Sequence, residues 1–297
     1  MIEVATKSKV QDAKILERVK GLRIPPAYQQ VRIHKSPKAR VQAYGYDAKG
    51  RKQFIYHSKF VATQQKKKFD MIVRNHSIFL EIEKDVQQQV QRFDKSFPKH
   101  PKEALIYLLL HIMMLCNFRI GNEKYSKENK HYGLTTMEWR HVSFVKHGVK
   151  LEFVGKKGVL NISVCSDPLV VKYVRHLYKR RVGARVFSYR DPADPADPHV
   201  RHITSYDVNG VLKGYHPEIT AKAIRVWHAN RLFLQYMSEE KSAKKAVERV
   251  ALALHNTPAV CKTSYIHPDL LQKHTKTKDK PAKPKHLSKL TEKKSKK

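Results

Sequence analysis

The chain has 297 residues, of which 60 are Lys or Arg and 26 are Asp or Glu, so its formal net charge is +34. Such an excess repels itself in a compact state and therefore predicts a polyanionic partner. No apolar run reaches the ~18 residues of a membrane span, and the first 20 residues lack the apolar core of a secretory signal. We expect a soluble, intracellular protein that binds nucleic acid.

The N-terminal part is predicted to be a small antiparallel β domain, residues 1–64. Alternating apolar and polar residues at 31–35, 41–45 and 53–57 predict three strands. The sequence Asp-Ala-Lys-Gly at 47–50 is a turn signal between the second and third strands. A basic linker is expected near 63–68.

Residues 65–272 are predicted to form a larger, mainly helical domain, which makes the fold class α+β. Apolar residues recur at helical spacing over 69–82 and 104–115. Residues 149–154 and 159–164 flank the turn sequence Gly-Lys-Lys-Gly and predict a β-hairpin. A Pro-rich surface loop is expected at 191–198. Further helices are expected at 168–182, 203–214, 220–238, 242–254 and 259–272.

Residues 273–297 are predicted to be a disordered basic tail. They contain eleven lysines against Asp279 and Glu292, with Pro281 and Pro284 and few apolar residues. The tail supplies +9 of the net charge, so the folded body keeps +25. Its role is either non-specific attraction to DNA or localisation and solubility, and the composition favours neither.

Five residues stand out by their context, although each has an ordinary structural alternative. Arg119 follows an apolar helix, whose dipole it could complement, and Lys156 could be an exposed turn lysine. Arg225 could pair with a carboxylate, and Asn256 could cap a helix that begins near Pro258. Tyr265 is one of 14 tyrosines. Spacing alone does not make these residues a site.

Motifs for phosphate or metal chemistry are missing from the sequence. There is no P-loop, GxGxxG or HExxH motif, and His199 with His202 has no further clustered ligands. The cysteines Cys116, Cys165 and Cys261 form neither a disulfide framework nor a CxxC pair. We therefore expect no metal and no cofactor. A basic protein can still cut a phosphodiester with its own nucleophile and cationic groups.

Residues 22–268 resemble the small type IB DNA topoisomerases of bacteria, poxviruses and other large DNA viruses, the bacterial form most of all. The matching segments occur in the family's order with similar spacings. They are Ile-Pro-Pro-Ala-Tyr at 24–28, Gln-Ala-Tyr-Gly-Tyr-Asp-Ala-Lys-Gly-Arg-Lys-Gln-Phe-Ile-Tyr-His at 42–57, Arg-Ile-Gly-Asn-Glu-Lys-Tyr at 119–125, Tyr-Gly-Leu-Thr-Thr at 132–136, Phe-Val-Gly-Lys-Lys-Gly at 153–158, Thr-Ala-Lys-Ala-Ile-Arg at 220–225 and Asn-Thr-Pro-Ala-Val-Cys-Lys-Thr-Ser-Tyr at 256–265.

The resemblance implies a catalytic set of Arg119, Lys156, Arg225, Asn256 and Tyr265. It implies that Tyr265 attacks the DNA phosphate and forms a 3′-phosphotyrosine, that the two arginines and Asn256 hold the phosphate oxygens, and that Lys156 protonates the leaving 5′ oxygen. Because the ester conserves the bond energy, religation needs no ATP. The cut strand rotates between the two steps and releases supercoils.

Two positions distinguish this chain from related families. Poxvirus members have histidine nine residues before the nucleophile, where this chain has Asn256; the neighbouring His255 could contribute instead. Tyrosine recombinases usually have histidine where this chain has Lys222, three residues before Arg225, so the lysine favours a topoisomerase.

The resemblance also implies DNA contacts. Gln53, Phe54 and Tyr56 match residues that face the major groove, and Asn122 and Tyr125 match a second contacting segment. Since neighbours on a strand point to opposite faces, either Gln53 with Ile55 or Phe54 with Tyr56 should touch DNA while the other pair packs inward. Helix and loop packing is the alternative for Asn122 and Tyr125.

We expect a monomeric enzyme that clamps duplex DNA between its two domains, in a bacterial cytoplasm or, for a virus, in the virion, viral factory or host nucleus. The alternatives are a tyrosine recombinase and an inert basic DNA-binding protein with the same fold.

Overall fold

The computed structural model describes residues 2–3 and 13–275, which divide into two compact units on either side of the Asp70–Met71 bond. The predicted linker at 63–68 is wrong, because these residues lie inside one helix that runs from Ser58 to Arg74. Lys66 and Lys67 are exposed in this helix, and Phe69 and Ile72 are buried, which suits a continuous amphipathic helix. The domain limits predicted from the sequence remain predictions.

The N-terminal unit contains an antiparallel sheet of four strands in the order β1-β2-β3-β4. The elements of this unit are β1 (Ile2–Glu3), α1 (Ala13–Gly21), β2 (Gln29–Ile33), β3 (Val41–Tyr46), β4 (Lys52–Tyr56) and the start of α2 (Ser58–Arg74). The predicted turn forms because the Asp47 carboxylate accepts the backbone N–H groups of Lys49 and Arg51, each at 3.0 Å. Gly50 takes the left-handed conformation there, with φ +70°.

The second unit is mainly helical and carries the predicted β-hairpin. Its elements are α3 (His76–Gln91), α4 (Phe93–Ser96), α5 (Pro101–Cys116), α6 (Glu123–Asn129), β5 (Val142–Val145), β6 (Gly148–Val154), β7 (Leu160–Cys165), α7 (Pro168–Lys179), β8 (Ser188–Tyr189), β9 (Arg201–His202), α8 (Ser205–Tyr215), α9 (Ala221–Glu240), α10 (Ala243–Ala253), α11 (Pro258–Ser264) and α12 (Pro268–Thr275). The α+β fold class is confirmed. The sequence patterns do not predict α1 or α6.

Helix α5 forms the centre of the second unit. It is apolar on every side, and Leu105, Leu108 and Ile112 have no exposed surface, as expected for a helix enclosed by others. It packs against α3, α7, α8, α9 and β7. Each fully buried Leu or Ile contributes about 1.5–3 kcal/mol to stability. The end of α5, where the first candidate catalytic residue follows, is therefore a rigid support.

The predicted single helix at 259–272 is wrong, since α11 ends at Ser264 and α12 begins at Pro268. Proline has no N–H for a helix interior and disfavours helical geometry in the residue before it. Of the predicted tail 273–297, residues 273–275 end α12 and the remainder lies outside the described residues.

Candidate active site

Arg119 lies three residues beyond the end of α5. Asn117 takes a left-handed conformation, with φ +53°, and ends the helix, and Phe118 is buried. The Arg119 carbonyl accepts the Leu134 N–H at 3.0 Å, and the Ile120 carbonyl accepts the Thr135 N–H at 2.8 Å. The segment after α5 is thereby fixed to the short 3₁₀ turn at Leu134–Thr136.

Two glycines allow this close backbone approach. A Cβ added to Gly133 would lie 2.5 Å from Gly121 Cα, which no packing adjustment of side chains can relieve. Gly121 itself has φ +94°, a conformation that other residues adopt at a cost. The backbone contact that holds Arg119 in place therefore explains why glycine occurs at both Gly121 and Gly133.

Arg225 lies on the buried side of α9 and is only 4% exposed. Its Nη2 donates to the Leu254 carbonyl at 2.9 Å, and no ion pair with a carboxylate occurs within the described residues. The pKa of Arg225 is lowered to about 10, chiefly by burial; Tyr265 opposes this shift and the charge of Arg119 adds to it. The guanidinium is still charged at neutral pH. The predicted alternative of a carboxylate pair is wrong.

Tyr265 lies at the C-terminal cap of α11 and is 9% exposed. The Arg225 Cζ atom lies 5.3 Å from the centre of its ring. Asn230, a buried residue of α9, donates to the Tyr265 carbonyl at 2.9 Å and accepts the His267 N–H at 2.8 Å. Asn230 thus holds the backbone on both sides of the break between α11 and α12.

The sequence patterns do not predict a role for Asn230. The available signal was an amide on the helix face that also carries Val226 and Phe233, since buried amides need hydrogen-bond partners.

Asn256 contacts Arg119, because the Arg119 Nη2 donates to Asn256 Oδ1. The alternative that Asn256 caps α11 is wrong: Thr257 is the cap, and its hydroxyl accepts the Val260 N–H at 3.3 Å. His255 faces another way. Its ring stacks on Phe118 with centroids 4.9 Å apart, and its Nε2 lies 3.4 Å from the Cys116 carbonyl. Burial lowers the pKa of His255.

The structure brings Arg119, Arg225, Asn256 and Tyr265 together in one cluster. Within it, Arg119 Nη1 and Arg225 Nε are buried without a hydrogen-bond partner, and Asn256 Nδ2 is buried without an oxygen or nitrogen partner, among the residues described. A buried donor without an acceptor costs about 1–3 kcal/mol. Two cations and three free donors beside a tyrosine therefore form a site that suits an oxyanion.

Lys156 is not joined to this cluster. It lies at the exposed tip between β6 and β7, in the short 3₁₀ turn Lys156–Gly158. Across the described part of the chain, neither a hydrogen bond nor an ion pair involves its ammonium group, which leaves all three of its donors available.

The residues expected to contact DNA lie mostly on the surface. On β4, Phe54 is 46% and Tyr56 41% exposed, whereas Gln53 and Ile55 are half-buried. Gln53 donates to the Asp47 carboxylate at 3.0 Å. The Lys52 ammonium group lies 3.9 Å from the centre of the Tyr44 ring. The side of the sheet that carries Phe54 and Tyr56 therefore presents aromatic rings together with a cation.

Asn122 and Tyr125 belong to the second unit. Asn122 caps α6, since its side chain accepts the Lys124 N–H at 3.0 Å. Tyr125 is 46% exposed on the same short helix.

Within residues 2–3 and 13–275, no group of three or more His, Cys, Asp or Glu side chains is placed to hold a metal ion. No helix in these ranges has the length and apolar character needed to cross a membrane.

Comparison with known proteins gives matches along most of the chain. The family described as eukaryotic DNA topoisomerase I, catalytic core, matches residues 57–295, and bacterial DNA topoisomerase IB, N-terminal domain, matches residues 4–47. DNA topoisomerase 1B of Acanthamoeba polyphaga mimivirus is 31% identical over 268 residues, which cover 85% of this chain and 78% of the relative. DNA topoisomerase 1B of Vaccinia virus (strain Copenhagen) is 24% identical over 239 residues, which cover 77% of this chain and 70% of the relative. Because the catalytic-core family spans well over half of the sequence, the chain belongs to the type IB DNA topoisomerases.

Proposed function

We propose that Tyr265 is the nucleophile with which this type IB topoisomerase relaxes supercoiled duplex DNA. The Tyr265 Oη atom forms an ester bond to the scissile phosphorus, the bond from phosphorus to the 5′ oxygen breaks, and the cut strand rotates before the 5′-OH attacks the phosphotyrosine and restores the strand. The number of phosphoester bonds is unchanged at each step, so no ATP is consumed.

The observation that carries this proposal is the group of unpartnered donors around Tyr265. Arg119 Nη1, Arg225 Nε and Asn256 Nδ2 are desolvated before any substrate arrives, so they meet the phosphate oxygens without first losing water. A phenol is a weak nucleophile while it holds its proton. The two guanidiniums favour the phenolate and the charge that grows on the phosphate oxygens.

Lys156 is the proposed general acid. Its exposed position on the hairpin tip suits a residue that reaches the leaving 5′ oxygen only when DNA is bound. Phe54 and Tyr56 on β4 are the proposed groove contacts, because the Gln53 amide is already bonded to Asp47. We also propose that a single chain acts on each duplex. A relaxation rate proportional to protein concentration is the result expected for this monomeric action.

A plasmid relaxation assay with EDTA and without ATP tests the proposal. The wild-type chain should relax the plasmid, and Tyr265→Phe should not, although it keeps its binding to a duplex. Tyr206→Phe is the matched control, because Tyr206 is 85% exposed and lies outside the cluster. Full activity of Tyr265→Phe contradicts the proposal. Strand exchange between two matched sites in place of relaxation identifies a recombinase.

A further inference from the structure

A second cluster of cations lies in the catalytic unit, apart from the site described above. A cavity of about 190 Å³ is lined by Arg180, Arg181, Arg185 and Arg190, together with Trp139. Its other lining residues are uncharged, so no carboxylate faces it. None of the five proposed catalytic residues lines this cavity, which we call the four-arginine cavity.

Three of the four arginines lack an acidic partner. Arg185 is paired with Glu123, with Nη1 and Oε1 2.7 Å apart. The Arg180 Nη1 atom lies 3.4 Å from His176 Nε2, and Arg181 donates to the Tyr178 carbonyl at 3.1 Å. Within residues 13–275, Arg180, Arg181 and Arg190 make no ion pair. Like charges held together without a counter-charge repel one another.

Trp139 supplies a separate indication of a ligand. Its indole Nε1 atom is buried and has no hydrogen-bond partner in the described part of the chain. The residue is held in place, since its backbone N–H donates to the Ala184 carbonyl at 2.9 Å and its ring packs edge-on against Tyr178, with centroids 5.4 Å apart. An indole nitrogen is only a donor, so the group that satisfies it must be an acceptor.

We propose that the four-arginine cavity binds a compact phosphate-class anion. Planar guanidiniums bind phosphate oxygens with forked hydrogen bonds, and an oxyanion also satisfies the indole N–H. The cavity volume lies below the ~300–1,000 Å³ of pockets for drug-sized ligands, which favours a small anion. The phosphate is either free, as in pyrophosphate, or part of a DNA backbone.

Titration of the full chain with inorganic pyrophosphate tests this proposal. The chain has two tryptophans, and Trp227 is fully buried against Phe79, so a saturable change in fluorescence reports on Trp139. The double variant Arg180→Gln/Arg190→Gln should weaken the Kd for pyrophosphate about 10- to 100-fold, as expected when charged hydrogen bonds are lost. Arg175→Gln, at an exposed arginine of helix α7, which ends one residue before Arg180, should leave the Kd within about twofold.

A signal that does not saturate, or equal weakening by Arg175→Gln, overturns the proposal. Trp139→Phe should also weaken the binding of pyrophosphate, measured by calorimetry. This variant tests the proposal independently if the double variant unfolds at a lower temperature than the wild type. Excess duplex DNA distinguishes the sources of the phosphate. Competition with pyrophosphate identifies the DNA backbone as the ligand, and simultaneous binding identifies a free anion; both outcomes support the site.

Discussion

The Arg119 guanidinium donates a hydrogen bond to the Asn256 side-chain oxygen, across 137 positions of sequence. This contact joins the segment after the central helix α5 to the loop before α11, the helix that ends beside Tyr265. It uses the oxygen of Asn256 and one nitrogen of Arg119, so that Asn256 Nδ2 and Arg119 Nη1 are both left for another acceptor. The contact therefore keeps one donor of each side chain available to the proposed phosphate ligand.

Replacing Asn256 by Asp should keep the contact with Arg119 but remove catalysis. A carboxylate accepts from Arg119 as the amide does, yet it has no N–H to donate and it repels a phosphate. We expect cleavage to slow by about 10²–10³, the range for loss of one donor to a developing oxyanion, in Asn256→Ala and by more in Asn256→Asp. Single-turnover cleavage of a nicked duplex measures both rates.

Asn256→His is the control for this prediction. Imidazole keeps a ring N–H donor, and the resemblance described above places histidine at this position in poxvirus members. It should retain more activity than Asn256→Ala. Equal rates for Asn256→Asp and the wild type would show that the amide donor is not used.

Replacing Arg225 by Met should stabilise the free protein while abolishing relaxation. Arg225 is a buried cation without a carboxylate partner, and the lowering of its pKa to about 10 reflects the cost of keeping it charged there. Apolar replacement of buried ionic groups can add roughly 1–4 kcal/mol to the free energy of unfolding. Urea unfolding and plasmid relaxation of the same preparation test the two halves of the prediction.

Arg175→Met, at an exposed position, should change the free energy of unfolding by less than about 0.5 kcal/mol. A clear loss of stability in Arg225→Met would mean that the bond to the Leu254 carbonyl outweighs the cost of burying the charge.

The strands and the hairpin could be predicted because their signals are local. Alternating residues and the turn sequences at 47–50 and 155–158 act over a few positions, and the structure has β3, β4, β6 and β7 close to the predicted limits. The break between α11 and α12 also has a local signal in Pro268. The sequence analysis extended one helix through it because apolar residues recur on both sides.

The assembly of the site could not be derived from local patterns. Both Asn256 and Thr257 are residue types that cap helices, and only the distant Arg119 explains why Asn256 turns away while Thr257 caps α11. Arg225 alone was compatible with a carboxylate partner. All five residues came from the family resemblance, because the contacts that bring four of them together connect the segment after α5 with α9 and α11, and Lys156 lies apart from them.

Replacing Lys156 by Ala should slow cleavage through the leaving group alone. A general acid contributes about 10²–10⁴ to the rate, and a 5′-thiol leaving group needs no proton. The Lys156→Ala variant should therefore cut an ordinary duplex slowly and a 5′-thio duplex at nearly the wild-type rate. Lys157→Ala is the matched control, because Lys157 is an exposed lysine on the same hairpin tip. Failure of the thio substrate to restore the rate would exclude Lys156 as the acid.

Acidification should destabilise the protein in part through His228. Its Nε2 atom is buried and has no hydrogen-bond partner among the described residues, and the pKa of His228 is lowered to about 3, chiefly by burial and also by the charge of Arg231. The unfolded residue titrates near 6.5. Below that pH the imidazole binds a proton in the unfolded state but not in the native state. The free energy of unfolding therefore has its full value above about pH 6.5 and falls toward pH 3 by ~1.4 kcal/mol per pH unit.

His228→Gln should remove this one proton from the pH dependence. The free energy of unfolding in urea, measured between about pH 7 and pH 5, should fall less steeply in this variant than in the wild type. His147→Gln, at an exposed histidine, is the control and should keep the wild-type slope. Identical slopes for His228→Gln and the wild type would mean that the native state accepts the proton at His228, by opening α9 locally or by admitting water to Nε2.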